Sequence, residues 1–268
     1  MLLGGSEGGI DTISAMAPSF AQRGFAALTL AYWGEKGLPQ TLENIPLEYF
    51  DTAIAWLQAR PGIDPGSIGV LGWSRGAEAA LLIGARNHAI HAVAAVAPSG
   101  IVWRGINYAR GLPDPAWTVD GKPLPFMTSD GSAYEPKGAL APMFVQALPG
   151  ADAHPQAQIP VEKINGPLLM ISGSDDGVWP SVTFAARIVE RLKAAGFKYS
   201  VENLVHPGAG HVVFVGAPDG AMARMSGTSN AMLGGTAKAN AAAWQDDWPK
   251  TVEFFDSALK RRDQDRKK

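Results

Sequence analysis

Apolar residues gather in short runs at 25–33, 68–72, 90–97, 167–172 and 199–205. The run at 25–33 lacks the alternation of a half-exposed strand, as expected of a parallel strand covered on both faces. Between the runs the apolar spacing changes to three and four. Leu47, Phe50, Ile54 and Leu57 form one helical face behind Pro46, read as a first helical residue. Phe184, Ile188 and Leu192 form another, opened by Pro180 and Ser181 and closed by Gly196. Helices are also predicted at 10–22 (closed by Gly24), at 75–86, and at 237–259, where Pro249 is expected to kink or restart the helix. Strand and helix in alternation predict an α/β class fold with a mostly parallel sheet and helices on both faces.

Residues 101–164 break this rhythm. Prolines, glycines and the aromatics Trp103, Tyr108, Trp117, Phe126 and Tyr134 follow one another without a period. So long a stretch without regular elements predicts a lid-like insert, the alternative being a structural excursion over the sheet edge. Met1-Leu2-Leu3 leads straight into the loop Gly4 to Gly9, so a buried strand is entered nearly at its end and further N-terminal strands are expected upstream. Residues 260–268 read as a charged, solvated tail. No repeat or linker divides the chain, so 1–268 is expected to be a single domain.

Composition narrows the function classes. With 46% hydrophobic and 18% charged residues the chain can bury a core. A formal net charge of −2 gives no reason to expect a nucleic-acid partner. The absence of cysteine excludes disulfides, thiolate metal sites and a cysteine nucleophile. No apolar run is long enough for a membrane span, and no signal peptide is visible, so a cytoplasmic location is expected.

The run at 68–72 delivers Gly72-Trp73-Ser74-Arg75-Gly76, a Gly-x-Ser-x-Gly pattern between a strand and a helix. Such a turn lifts a serine hydroxyl clear of the sheet and sets it at a helix N-terminus, where free N–H groups favour negative charge. A serine hydroxyl needs a base to take its proton and a carboxylate to orient that base. Later strand ends supply both, in the order Ser, Asp, His: Asp176 after 167–172 and His211 after 199–205. Asp175 competes with Asp176, which is preferred because Gly173-x-x-Asp176-x-x-Trp179-Pro180 resembles the usual hydrolase turn, in which the acid follows glycine by three positions. Of the other histidines, His88 and His91 flank a helix-to-strand turn, His154 lies in the insert, and His206 ends a strand beside the site. Ser74, Asp176 and His211 are thus the candidate catalytic residues.

Two N–H groups are needed for an oxyanion hole. Arg75 supplies one, and Ser6, with Glu7 as the adjacent register, is the candidate for the other. Neither a phosphate-loop pattern nor a metal-ligand spacing is present, and no metal or cofactor is implied.

The whole pattern resembles the α/β-hydrolase superfamily over nearly the full chain. More narrowly, it is similar to the C-terminal catalytic domain of the acyl-CoA thioesterase and bile acid-CoA:amino acid N-acyltransferase family. The segments that carry this are Gly5-Ser6-Glu7-Gly8-Gly9, Ala27 to Trp33, Leu38-Pro39 through Leu47-Glu48-Tyr49-Phe50, Gly69 to Gly76, Gly166-Pro167 to Asp176, and Pro207-Gly208-Ala209-Gly210-His211. Gly234-Gly235 and the helix with Trp248 also fit. By that resemblance Ser74, Asp176 and His211 take the nucleophile, acid and base positions. The family's transferases carry cysteine as nucleophile, so serine here implies hydrolysis. Its longer members carry an immunoglobulin-like domain ahead of the catalytic one, and the resemblance here is to the catalytic part.

The expected function is a serine hydrolase on a small-molecule acyl ester or acyl-CoA thioester, with an oxygen-ester carboxylesterase of dienelactone-hydrolase type, or a silent binding module, as alternatives. Trp73, Trp103, Trp179, Met222 and Met225, with Met232, are candidate acyl-pocket residues, and Arg104, Arg110 and Lys122 candidate phosphate contacts. Homo-oligomerisation is left open.

Overall fold

A computed structural model of the chain describes residues 1–110, 113–129, 131–133, 138–214 and 229–260. Its elements run β1 (Leu2–Leu3), α1 (Asp11–Ser14), α2 (Ala17–Ala21), β2 (Ile45–Pro46), α3 (Leu47–Gln58), β3 (Ile68–Trp73), α4 (Arg75–Arg86) and β4 (Ile90–Val96). They continue as β5 (Trp117–Val119), β6 (Lys122–Pro123), α5 (Ala141–Ala153), β7 (Leu168–Gly173), α6 (Ser181–Ala194), β8 (Val201–His206) and α7 (Ala237–Phe255). The central sheet has the order β1-β3-β4-β7-β8 and every pairing in it is parallel. This is the α/β-hydrolase arrangement. Among the described residues no helix is long and apolar enough to cross a membrane.

Every residue of β3 and all but one of β4 are buried, because helices cover both sheet faces. On one face Val70, Val93 and Met170 meet Phe50 and Ile54 of α3, Leu81 of α4 and Ile188 of α6. On the other, Leu71, Ala94 and Ile171 meet Phe20 of α2 and Trp244 and Trp248 of α7. Each fully buried Leu, Ile or Phe removes enough apolar surface to contribute about 1.5–3 kcal/mol. The sheet is thereby a rigid platform whose strands all deliver their carboxyl ends to one side.

Several expectations needed correction. The helix read at 10–22 is two short ones, because Pro18 lacks the N–H that a continuous helix would direct at Ser14. The run at 25–33 is parallel to β1 only around Leu2 and Thr29, with Leu2 N–H donating to Leu28 O at 2.8 Å and Leu30 N–H to Leu2 O at 3.1 Å. A two-residue partner leaves too few ladder bonds for a longer strand. Pro46 caps α3 from an extended conformation and is not its first residue. The insert is more regular than expected: it holds β5, β6 and the 13-residue α5, hidden in the sequence by Pro149 and Gly150. Helix α7 runs unbroken through Pro249, which is exposed, so the Gln245 carbonyl it leaves unbonded sits on the solvent side. Residues 261–268 of the charged tail lie outside the described residues.

Candidate active site

At the end of β3 the backbone turns through Ser74, which has φ 57° and ψ −119° and donates its N–H to Val96 O at 2.9 Å. A positive φ in a residue with a side chain is strained and persists only where the surroundings enforce it. Here the neighbouring glycines allow the enforcement. A Cβ on Gly72 would stand 1.9 Å from Gly76 O, and one on Gly76 would stand 2.2 Å from Gly4 O. The spacing of the motif therefore reflects main chain packed on main chain.

Ser74 Oγ lies 2.8 Å from His211 Nε2. His211 Nδ1 lies 2.9 Å from Asp176 Oδ2 and 3.0 Å from Oδ1. Asp176 Oδ1 also accepts the N–H groups of Val178 (2.9 Å) and Trp179 (3.2 Å), which fix the carboxylate. All three side chains are buried. Asp175 points elsewhere, its Oδ1 accepting the Ser174 hydroxyl at 2.8 Å. The histidine loop is seated from below: His211 N–H donates to Leu233 O (2.8 Å), and Gly210 N–H donates to Oδ1 of the buried Asn240 (2.7 Å).

The loop after β1 approaches the same point. Glu7 folds its carboxylate back so that both oxygens accept the Gly5 N–H at 2.9 Å. Burial of that carboxylate raises its pKa, against the lowering effect of the Gly5 and Glu7 N–H groups and the nearby His211. Ser6 O accepts the exposed Tyr108 hydroxyl at 3.4 Å.

The expected tryptophans frame the site and offer little open surface. Trp73, Trp103 and Trp179 are 9%, 2% and 2% exposed. Their indole N–H groups are spent on His211 O (3.1 Å), Ser99 Oγ (2.9 Å) and Ala97 O (3.0 Å). Trp73 and Trp179 hold the imidazole between them, at centroid distances of 5.7 and 6.1 Å. Phe144 of α5 meets Trp103 and Trp179 edge-on, so the insert packs onto the site. Met222 and Met225 lie outside the described residues, and Met232 is exposed. Arg110 is not a free cation: it pairs with Glu43 (2.7 Å) and Asp114 (3.1 Å). Arg104 lies over the Phe126 ring, and Lys122 is exposed on β6.

Sequence spacing offered no metal cluster, but the fold brings His206, Asp246 and Asp247 together. Asp247 already bonds His206 at 2.7 Å, and Asp246 pairs with Lys250. Sequence reasoning also passed over Glu78 and Asn240. An acid in the apolar run Ala77-Glu78-Ala79-Ala80-Leu81 was a readable signal; nothing marked Asn240. A cavity of about 450 Å³ lined by Phe20, Phe25, Leu57, Phe255 and Leu259 lies at the amino ends of β1 and β3, opposite to Ser74.

Residues 45–261 match the family model described as BAAT / Acyl-CoA thioester hydrolase C terminal. The chain belongs to this family. It is 30% identical over 247 residues to the mouse mitochondrial acyl-coenzyme A thioesterase 2, covering 91% of this chain and 52% of that protein. It is 31% identical over 214 residues to the rat acyl-coenzyme A amino acid N-acyltransferase 2, covering 78% and 47%. The chain thus spans about half the length of these curated relatives. Among solved structures, DcsB in complex with its substrate analogue superposes with a TM-score of 0.56 at 15% identity, covering 96% of this chain and 89% of that one. The deep-sea metagenomic α/β hydrolase MGS-M1 gives 0.53 at 15% identity, covering 97% and 84%. At these identities the likeness concerns the fold.

Proposed function

We propose that the chain is a serine hydrolase of acyl-CoA-type thioesters. The observation that carries this reading is the unbroken hydrogen-bonded line from Ser74 Oγ through His211 to Asp176 on a strained turn. Family membership supports the thioester class, and serine at the nucleophile position supports hydrolysis over transfer.

In this mechanism Asp176 accepts the Nδ1–H of His211, which leaves Nε2 unprotonated and facing the serine hydroxyl. Nε2 takes the proton as Ser74 Oγ attacks the acyl carbonyl carbon. The carbonyl oxygen becomes negative and is met by the N–H groups of Arg75 and Ser6, donors fixed before the charge develops. Glu7 N–H is engaged by its own carboxylate, which favours Ser6 over Glu7 as the second donor. The imidazolium gives its proton to the departing thiolate, an acyl-enzyme remains, and His211 then activates water to release the acid. Each proton is accounted for on His211, so the cycle needs no cofactor.

The test is labelling by a fluorophosphonate probe, followed by rates on an acyl-CoA and a p-nitrophenyl ester of equal chain length. Labelling is expected in the parent and not in Ser74→Ala, with the thioester turned over faster. A folded parent protein that takes no label would mean a silent binding module. Faster turnover of the oxygen ester would move the assignment to a carboxylesterase.

A further inference from the structure

Helix α4 starts on the nucleophile turn and carries one acid, Glu78, that solvent does not reach. The Arg75 guanidinium is also buried, with Nη1 3.1 Å from Glu78 Oε2. Three further contacts leave the pair for the insert, two from Glu78 and one from Arg75. Glu78 Oε1 accepts the Trp117 indole N–H at 2.6 Å and the main-chain N–H of Trp103 at 3.2 Å. Arg75 Nη2 donates to the carbonyl oxygen of Trp103 at 3.1 Å. Both main-chain groups of Trp103 are therefore held by the first turn of α4. Trp103 in turn packs on Phe144 of α5, 4.8 Å between centroids.

A buried ion pair is a weak source of net stability, because desolvation of the two charges offsets their attraction. What such a pair supplies is direction. In this molecule the directed group is the residue that carries the N–H next to the nucleophile.

We infer that Glu78 and the Arg75 side chain are positioning residues that tie the insert to the oxyanion-binding N–H of Arg75. Docking of the insert and formation of the oxyanion hole are then a single event. The inference rests on the hydrolase reading for its catalytic half, while the structural half, insert and helix start moving together, stands without it.

Arg75→Met separates the possibilities because it keeps the main-chain N–H and removes only the side-chain clamp. The Glu78 carboxyl left behind can take up a proton and avoid a bare buried charge. Hydrogen exchange read by mass spectrometry is expected to show 75–78 and 101–104 losing protection together, by about tenfold or more, with β4 and β7 unchanged. The rate of fluorophosphonate labelling, which also places an anionic oxygen in the hole, should fall about 10- to 100-fold, with KM within about threefold of the parent. Arg75→Lys should recover part of that rate. If Arg75→Met fails to fold, Glu78→Gln serves: it keeps an acceptor for both tryptophans and removes the charge. Loss of protection confined to one segment, or labelling at the parental rate despite joint loss, overturns the inference. A parent protein that takes no label overturns the hydrolase reading, and exchange alone then decides whether the two segments are coupled.

Discussion

A Cβ on Gly76 would stand 2.2 Å from the carbonyl oxygen of Gly4, so the first turn of α4 and the loop after β1 touch through their main chains. The same Gly4 oxygen accepts the buried Tyr32 hydroxyl at 2.7 Å and cannot retreat without breaking that bond. Gly76→Ala must push the two proposed oxyanion donors apart. Overpacking of this kind costs about 1–3 kcal/mol. A midpoint lower by roughly 2–9 °C in a thermal melt is expected. Activity should fall about 100-fold or more, because a donor displaced by 1 Å is largely lost.

Asp176→Asn should leave the fold intact and lower kcat by about 10³- to 10⁴-fold. An amide can offer its NH2 to Nδ1 of His211, which would put the proton on Nε2, the wrong nitrogen for a base facing Ser74. Asp175→Asn should change kcat by less than about threefold, since Asp175 is occupied with Ser174. Steady-state rates on a p-nitrophenyl ester decide between the two acids, and equal losses would remove the distinction.

Asn240→Ala takes away the acceptor of the buried Gly210 N–H, one residue from His211. An orphaned buried donor costs about 1–3 kcal/mol, which urea denaturation would register as a lower midpoint at unchanged slope. A kcat loss of about tenfold should accompany it as the histidine loop loosens. Unchanged stability would show that the amide finds another partner.

Glu43 anchors Asn107, Arg110 and Asp114, accepting bonds from the first two side chains and the Asp114 N–H as well as from Thr41. Burial alone would raise its pKa, but the Thr41 hydroxyl, Asp114 N–H, Arg110 and Asn107 outweigh burial and bring it down to about 2. A carboxyl with a folded pKa below its unfolded value of 4.5 stabilises the fold above pH 4.5. That contribution is lost as pH falls toward 2. The stability gap between the parent and Glu43→Gln should therefore be widest above pH 4.5 and close as acid is added, in denaturation curves taken across that range. A gap independent of pH would contradict the anchor.

How far the sequence reveals this molecule depends on what each feature rests on. Ser74, Asp176 and His211 were readable because each follows an apolar run that could only be a strand, and the structure draws these strand ends together. Gly72 and Gly76 were readable because no other residue fits. Helix α5 was hidden, since Pro142, Pro149 and Gly150 argue against a helix that tertiary contacts nevertheless hold. The use made of Trp73, Trp103 and Trp179 was hidden as well. Aromatic content predicts burial, but not whether an indole N–H meets a substrate or an oxygen of the protein itself. Glu78 needed only more weight on a single charge amid alanines. Asn240 and Leu233 serve His211 from far along the chain, through contacts that no local pattern encodes.

That last arrangement bears on how the protein is made. The described strands of the central sheet are all present once β8 has been synthesised, and all three members of the Ser74–His211–Asp176 line have been added by residue 211. The carbonyl of Leu233 and the amide of Asn240 that seat the histidine loop come later, on and just before α7. A nascent chain that has not released α7 from the ribosome would hold these side chains on a sheet with one face still uncovered by α7 and the base unseated. The base would then be seated only after α7 has emerged, when the strands before it have had time to fold.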